Sequence, residues 1–160
     1  MSLFEQIPED AQSLSPKSIT ITRIIFSIFS IGVLALAVFI AVVSGEWTRF
    51  GYGLVAAILL WLFGFFWSKK RYDYSRWWFS EEGLYLQRGV FWRKRILVPQ
   101  NRVQHTDVAQ GPLDRKYHLG KLVVHTAGTR DASVTLSGVE LEVANELRDR
   151  LIDSEQTDAV

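Results

Sequence analysis

The chain has 160 residues, 48% of them apolar and 22% charged, with no cysteine and a formal net charge of +1. The missing cysteines exclude disulfides and thiolate metal sites, and leave the redox compartment unread. The near-zero charge is a cancellation: residues 69–130 hold 13 Lys/Arg against 5 Asp/Glu, a net +8, and residues 131–160 hold 2 against 8, a net −6.

Residues 1–17 are polar, with Glu5, Pro8, Glu9, Asp10 and Pro16, and read as a tail or short surface segment. They lack the basic start of a cleaved signal peptide, so the apolar run that follows is expected to be retained. Residues 24–43 and 50–67 are uncharged runs of twenty and eighteen residues. At about 1.5 Å per residue the first covers about 30 Å, the hydrocarbon thickness of a bilayer. The second is slightly shorter, with Tyr52 and Trp67 as interfacial ends. Six residues, 44–49, join them, which predicts an antiparallel transmembrane hairpin. A chain of this length cannot wrap two such helices in protein on all sides.

Lys17 and Arg23 precede the first span, and Lys69, Lys70, Arg71 and Arg76 follow the second, whereas the loop holds only Arg49. By the positive-inside rule both termini are expected in the cytoplasm of a multi-pass inner (cytoplasmic) membrane protein. Lys69, Lys70, Arg71 and Arg76 are then the topology lock and a contact for anionic lipid. Gly32, Ala35, Ala56, Ala57 and Gly64 are candidates for close helix approach. Neither span holds an ionisable residue, which argues against an ion pathway through this hairpin alone.

Beyond residue 71 the period changes to that of strands. Residues 74–79 (YSRWWF), 84–88 (LYLQR) and 90–98 (VFWRKRILV) read as three, with a turn at Ser80-Glu81-Glu82-Gly83 and a break at Gly89. Alternation puts Val90, Trp92, Ile96 and Val98 on one face and Arg93 and Arg95 on the other. Trp77 and Trp78 fall on opposite faces, one expected in the core and one toward head groups. Residues 102–109 form a strand with a bulge or face switch midway, 112–119 one or two helical turns started by Pro112, and 121–127 and 132–137 two more strands about a turn containing Gly128. Ser137-Gly138-Val139-Glu140 has capping-box spacing, and Val143, Leu147 and Leu151 with Ala144 give the following helix an apolar face. Such a helix is expected to cover an open end or side of a strongly bent sheet.

Pro99, the Arg102-Val103-Gln104 segment, the Gln110-Gly111-Pro112-Leu113 turn with Arg115, and the strand 122–127 together resemble the YdbS-like family of bacterial membrane proteins with a pleckstrin-homology (PH-like) domain. The resemblance covers about residues 18–153. It implies an α+β membrane protein: a transmembrane helical hairpin, then a bent antiparallel β-barrel or sandwich capped by a C-terminal helix. It also implies a non-enzymatic membrane protein, of a kind that often works beside a longer paralogue with similar domains. Eukaryotic PH domains that read phosphoinositides carry Lys and Arg in the first hairpin loop. The matching loop here carries Glu81 and Glu82, whose carboxylates repel phosphate.

His105, His118 and His125 match no metal-ligand spacing. His105 and Asp107 can share a strand face, yet no nucleophile motif accompanies them. No phosphate-binding glycine loop occurs. The expectation is therefore no catalytic residues, no metal and no cofactor. Arg88, Arg93, Lys94, Arg95, Arg102, Arg115 and Lys116, interleaved with Trp92 and Tyr117, are the candidate partner or lipid surface, with a solvated outer face as the competing reading. The membrane anchor favours lipid or a membrane protein over nucleic acid. The expected organisation is a polar tail (1–17), the hairpin (18–71), a cytoplasmic PH-like domain (72–153) and a second polar tail (154–160). The expected function is a binding or assembly module for a membrane protein partner, a second copy or anionic lipid; the alternative is a subunit of an envelope-defence or export system for amphipathic compounds.

Overall fold

The computed structural model describes residues 7–127 and 133–157, with side chains as far as residue 152. The turn expected around Gly128 lies outside the described residues. The chain divides into two compact units: residues 19–70, and a discontinuous unit of residues 1–18 with 71–160.

In the first unit, helices α1 (Lys17–Ser44) and α2 (Trp47–Asp73) form the expected hairpin. Their 28 and 27 residues give about 42 and 40 Å, so the polar ends outrun a hydrocarbon core of about 30 Å. Both are long and apolar enough to cross a membrane. Phe29, Phe39 and Phe66 are each at least 64% exposed, a surface that water would not tolerate and lipid does. The helices meet through small residues, but not mainly the expected ones. Ala37, Ala41, Ala57 and Gly64 are buried, whereas Gly32, Ala35 and Ala56 face outward. A side chain at Gly53 would collide with Ala37, and one at Gly64 with Phe26. Trp61 Nε1 donates to Ser27 Oγ across the hairpin at 3.2 Å. Arg23 lies 3.8 Å over the Phe65 ring and donates to Ser68 Oγ at 3.2 Å, which satisfies its charge near a helix end.

The second unit is a two-sheet sandwich, not a closed barrel. One sheet has the order β1 (Gln12–Ser13), β2 (Arg76–Ser80), β3 (Gly83–Arg88), β4 (Lys94–Pro99); the other has β5 (Val103–Ala109), β6 (Leu119–Thr126), β7 (Ser133–Glu140). All pairings are antiparallel. A 3₁₀ turn, Gln100–Arg102, links the sheets, and helix α4 (Leu141–Thr157) packs on the second. The inner faces share one core: Trp77, Leu84, Leu86, Ile96 and Val98 from the first sheet meet Leu122, Val124, Val134 and Leu136 from the second, with Ala144, Leu147 and Leu151 of α4.

Four expectations fail for physical reasons. The N-terminal segment is no tail: Gln12 and Ser13 pair with Trp77 and Arg76, Leu14 is buried in the core, and Ser15 N donates to Gly138 O at 2.8 Å. One extended segment thus touches both sheets. Residues 90–93 are not strand, because pairing of Arg88 with Lys94 closes the hairpin over residues 89–93. Gly89 makes that closure possible at φ 113°, where a side chain would run into the Trp92 carbonyl. Ser137–Glu140 do not cap a helix, since they stay paired in β7, with Glu140 opposite Leu119. Finally, α4 runs on to Thr157, past the expected end of the domain.

An irregularity in residues 102–109 does occur, but at the start of β5 and not midway, as a register shift between Val103 and His105. The Gln110-Gly111-Pro112-Leu113 turn has a structural purpose. Pro112 opens α3 (Pro112–Lys116), and Asp114 reaches back to accept from Gly111 N at 3.0 Å. Asp114 is also held by Lys121 at 3.2 Å, and Gln110 Nε2 donates to Leu119 O at 2.6 Å.

Candidate recognition surface

The strand period of two decides which side chains of the first sheet face outward. Alternate pairs point inward, so the outer face carries the rows Arg76–Gln87–Arg95 and Trp78–Tyr85–Leu97. The Trp78 and Tyr85 rings stack, 5.0 Å between centroids and 6° from parallel. The Arg95 guanidinium lies 5.2 Å over Trp78 and donates to Gln87 Oε1 from Nε at 3.1 Å and from Nη2 at 2.8 Å. Gln87 thereby fixes the cation over the ring. Tyr85 donates to the Glu82 carboxylate. That hydrogen bond, then burial and the carboxylate's charge, hold the phenol above its usual pKa, while Arg95 pulls the other way. Trp78, Tyr85, Arg95, Ser80, Glu81 and Glu82 line an open cleft of about 500 Å³.

Trp77 and Trp78 do point to opposite faces, yet both are buried, at 5% and 6% exposure, so neither is a free head-group contact. Arg93 lies 5.1 Å over Tyr74. Arg76 donates from Nη1 to Tyr72 O at 3.2 Å and to Ser75 O at 2.9 Å, and Ser75 Oγ donates to Arg71 O at 2.6 Å. Together they satisfy carbonyls where α2 ends. Lys69, Lys70 and Arg71 are exposed on the last turns of that helix.

The basic set does not form one patch. Arg88, Arg93, Lys94 and Arg95 gather at the β3–β4 hairpin end. Arg102 follows the far end of β4, about 17 Å along the strand at about 3.4 Å per residue, and Arg115 and Lys116 sit on α3 between strands of the other sheet. Arg88 Nη1 makes a 3.5 Å contact with Thr135 O. Sequence reasoning missed Tyr85 and Gln87, which the pairing register places beside Trp78 and Arg95.

The histidines divide. His105 and His125 stack at 6.0 Å and both approach Asp107, at 2.8 and 3.6 Å, on an exposed surface. His118 lies apart, at φ 56° in the bend after α3. Among the described residues no cluster of three or more potential metal ligands occurs.

Residues 19–155 match the family model described as "Bacterial PH domain". The chain is 32% identical over 145 residues to the transmembrane protein YdbS of Bacillus subtilis (strain 168), a match spanning 86% of this chain and 88% of that one. No solved structure matches. With its apolar hairpin, two-sheet sandwich and C-terminal helix, the chain is a YdbS-like transmembrane protein and belongs to the bacterial PH domain family.

Proposed function

We propose that this protein is a non-enzymatic binding and assembly module of the cytoplasmic membrane. Its hairpin anchors the PH-like domain, with both termini on the cytoplasmic side. The outer face of the first sheet recruits a membrane protein, either a longer paralogue with similar domains or a second copy, and anionic lipid is a further ligand. The observation that carries this reading is the Arg95–Trp78–Tyr85 stack held by Gln87 and Glu82 beside an open cleft. Arg, Trp and Tyr dominate the energetics of protein interfaces, and a pre-organised cation loses little freedom on binding. Two hydrogen bonds from Arg95 to the one Gln87 oxygen fix the guanidinium before any partner arrives.

Photo-cross-linking from Leu97, exposed in the same outer row as Tyr85, in intact membranes tests the proposal and leaves the Arg95 guanidinium in place. A discrete protein adduct that falls about tenfold with Trp78→Ala or Gln87→Ala is the expected result, the size of an interface anchor's contribution. The absence of any adduct, or an adduct indifferent to both variants, overturns it.

A further inference from the structure

The hairpin between β3 and β4 ends in Gly89-Val90-Phe91-Trp92-Arg93, within the run RGVFWRKR. Phe91 is 73% and Trp92 88% exposed, about twice any other large apolar side chain described in the same unit. Their rings meet edge to face at 6.4 Å, so the tip is a single aromatic wedge. Arg88, Arg93 and Lys94, all exposed, flank it, and no acidic residue occurs from Gly83 to Thr106. The wedge is held out by its own geometry, since Arg88 pairs with Lys94 and Gly89 turns the chain at φ 113°.

We propose that this tip is a membrane-docking finger. Phe91 and Trp92 enter the interfacial zone of an anionic leaflet, and Arg88, Arg93 and Lys94 contact its phosphates. Three observations favour a bilayer over a protein groove. Trp and Phe with a collar of cations, in a run of the chain that carries no acidic residue, is the composition that partitions to an anionic interface. The chain is a transmembrane protein by family, so lipid is always present. Only Tyr74 and Ser75 separate α2 from β2, and so short a tether supplies an effective concentration on the order of millimolar. A finger too weak to hold a soluble protein to lipid is then sufficient. The proposal deepens the lipid part of the preceding reading, resting on membrane attachment and not on the sheet face.

The natural chain has no cysteine, so Phe91→Cys carries a single environment-sensitive fluorophore in the whole protein, reconstituted into vesicles. Asn101→Cys, exposed in the 3₁₀ turn beyond the far end of β4, is the reference site. In phosphatidylglycerol-containing vesicles, shallow spin-labelled lipid should quench the probe at position 91 at least about twofold more than at 101, and Arg93→Glu with Lys94→Glu should remove most of that excess. Equal quenching at the two sites overturns the proposal. So does a probe at 91 that is shielded from aqueous iodide, blind to spin-labelled lipid and re-exposed when one chain is placed per nanodisc, because a second copy is then the occupant. An excess that is the same in phosphatidylcholine alone, and indifferent to charge reversal, overturns the assignment of the cations. None of these outcomes depends on the adducts from Leu97, so the finger and the partner face fail separately.

Discussion

Leu14 lies before the hairpin in sequence, yet it is 7% exposed within the core of the domain that follows it. Leu14→Ala removes a buried side chain and leaves a cavity that its neighbours only partly fill. Buried Leu→Ala changes cost about 2–5 kcal/mol. Leu14 sits beside Gly138 at the margin of the core, where collapse is easier, so about 2–3 kcal/mol is expected. For a domain of about 100 residues that corresponds to a fall in Tm of about 10–20 °C. Thermal unfolding of the full chain in mild detergent, followed by near-ultraviolet dichroism, to which the buried Trp77 and Trp78 contribute, measures it. Gln12→Ala, in the same segment but with an exposed side chain, should stay within about 0.5 kcal/mol of the parent. A Leu14→Ala variant as stable as that control would mean that the segment does not close the core, and the two-part domain described above would be wrong.

Gly89→Ala forces a side chain into the Trp92 carbonyl at φ 113° and should cost about 1–3 kcal/mol, with faster amide exchange confined to the β3–β4 hairpin. Gly53→Leu collides with Ala37 and should separate the helices, at about 1–3 kcal/mol, read as earlier unfolding of the hairpin in denaturing detergent. Glu82→Gln removes the carboxylate that accepts from Tyr85 and should bring the phenol's pKa down, as followed by ring chemical shifts. The sign is set by the raised folded-state pKa. The protonated phenol is the favoured form in the folded chain, so its contribution is complete below the unfolded pKa and is lost as pH rises through the folded one. A Tyr85 titration unmoved in Glu82→Gln would remove the carboxylate as the cause.

What the sequence made legible and what it hid follow from range. The hairpin shows in an uninterrupted apolar run, and α4 shows in Val143, Leu147 and Leu151, because both signals are local. Strand β1 is two polar residues, Gln12 and Ser13, that are extended because β2 offers an unpaired edge more than sixty residues later. Nothing within the segment announces that. Val90 and Trp92 continue the alternation of Ile96 and Val98, so a period count joins them; the left-handed backbone at Gly89 and the Arg88–Lys94 pairing separate them. Likewise the capping spacing at Ser137–Glu140 is present, but Lys121 and Leu119 pair with its ends, and the ladder outcompetes the cap. The candidate surface was half visible. The cations were countable, but their sorting into a hairpin cluster and scattered members depended on register.

The clasp formed by residues 12–18 also bears on topology, independently of where the cations fall. Gln12 pairs with Trp77, Ser15 bonds to Gly138, and Lys17 reaches Glu140 at 3.3 Å, so one folded unit contains chain from both sides of the hairpin. A unit of that kind can close only if both pieces reach the same aqueous phase, and an even number of spans is what delivers them there. This supports the two-span topology proposed above, and it makes completion of the domain wait on insertion of the hairpin. A third apolar span inserted between Leu14 and Lys17 would put β1 and β2 on opposite faces of the bilayer. The edge of β2 would then be bare and the Leu14 site empty, with the loss expected to match or exceed that of Leu14→Ala. Limited proteolysis on sealed vesicles should cut such a chain within β2–β3 many times faster than a control carrying a polar insert of equal length. Equal cutting rates would show that the domain closes without its N-terminal segment.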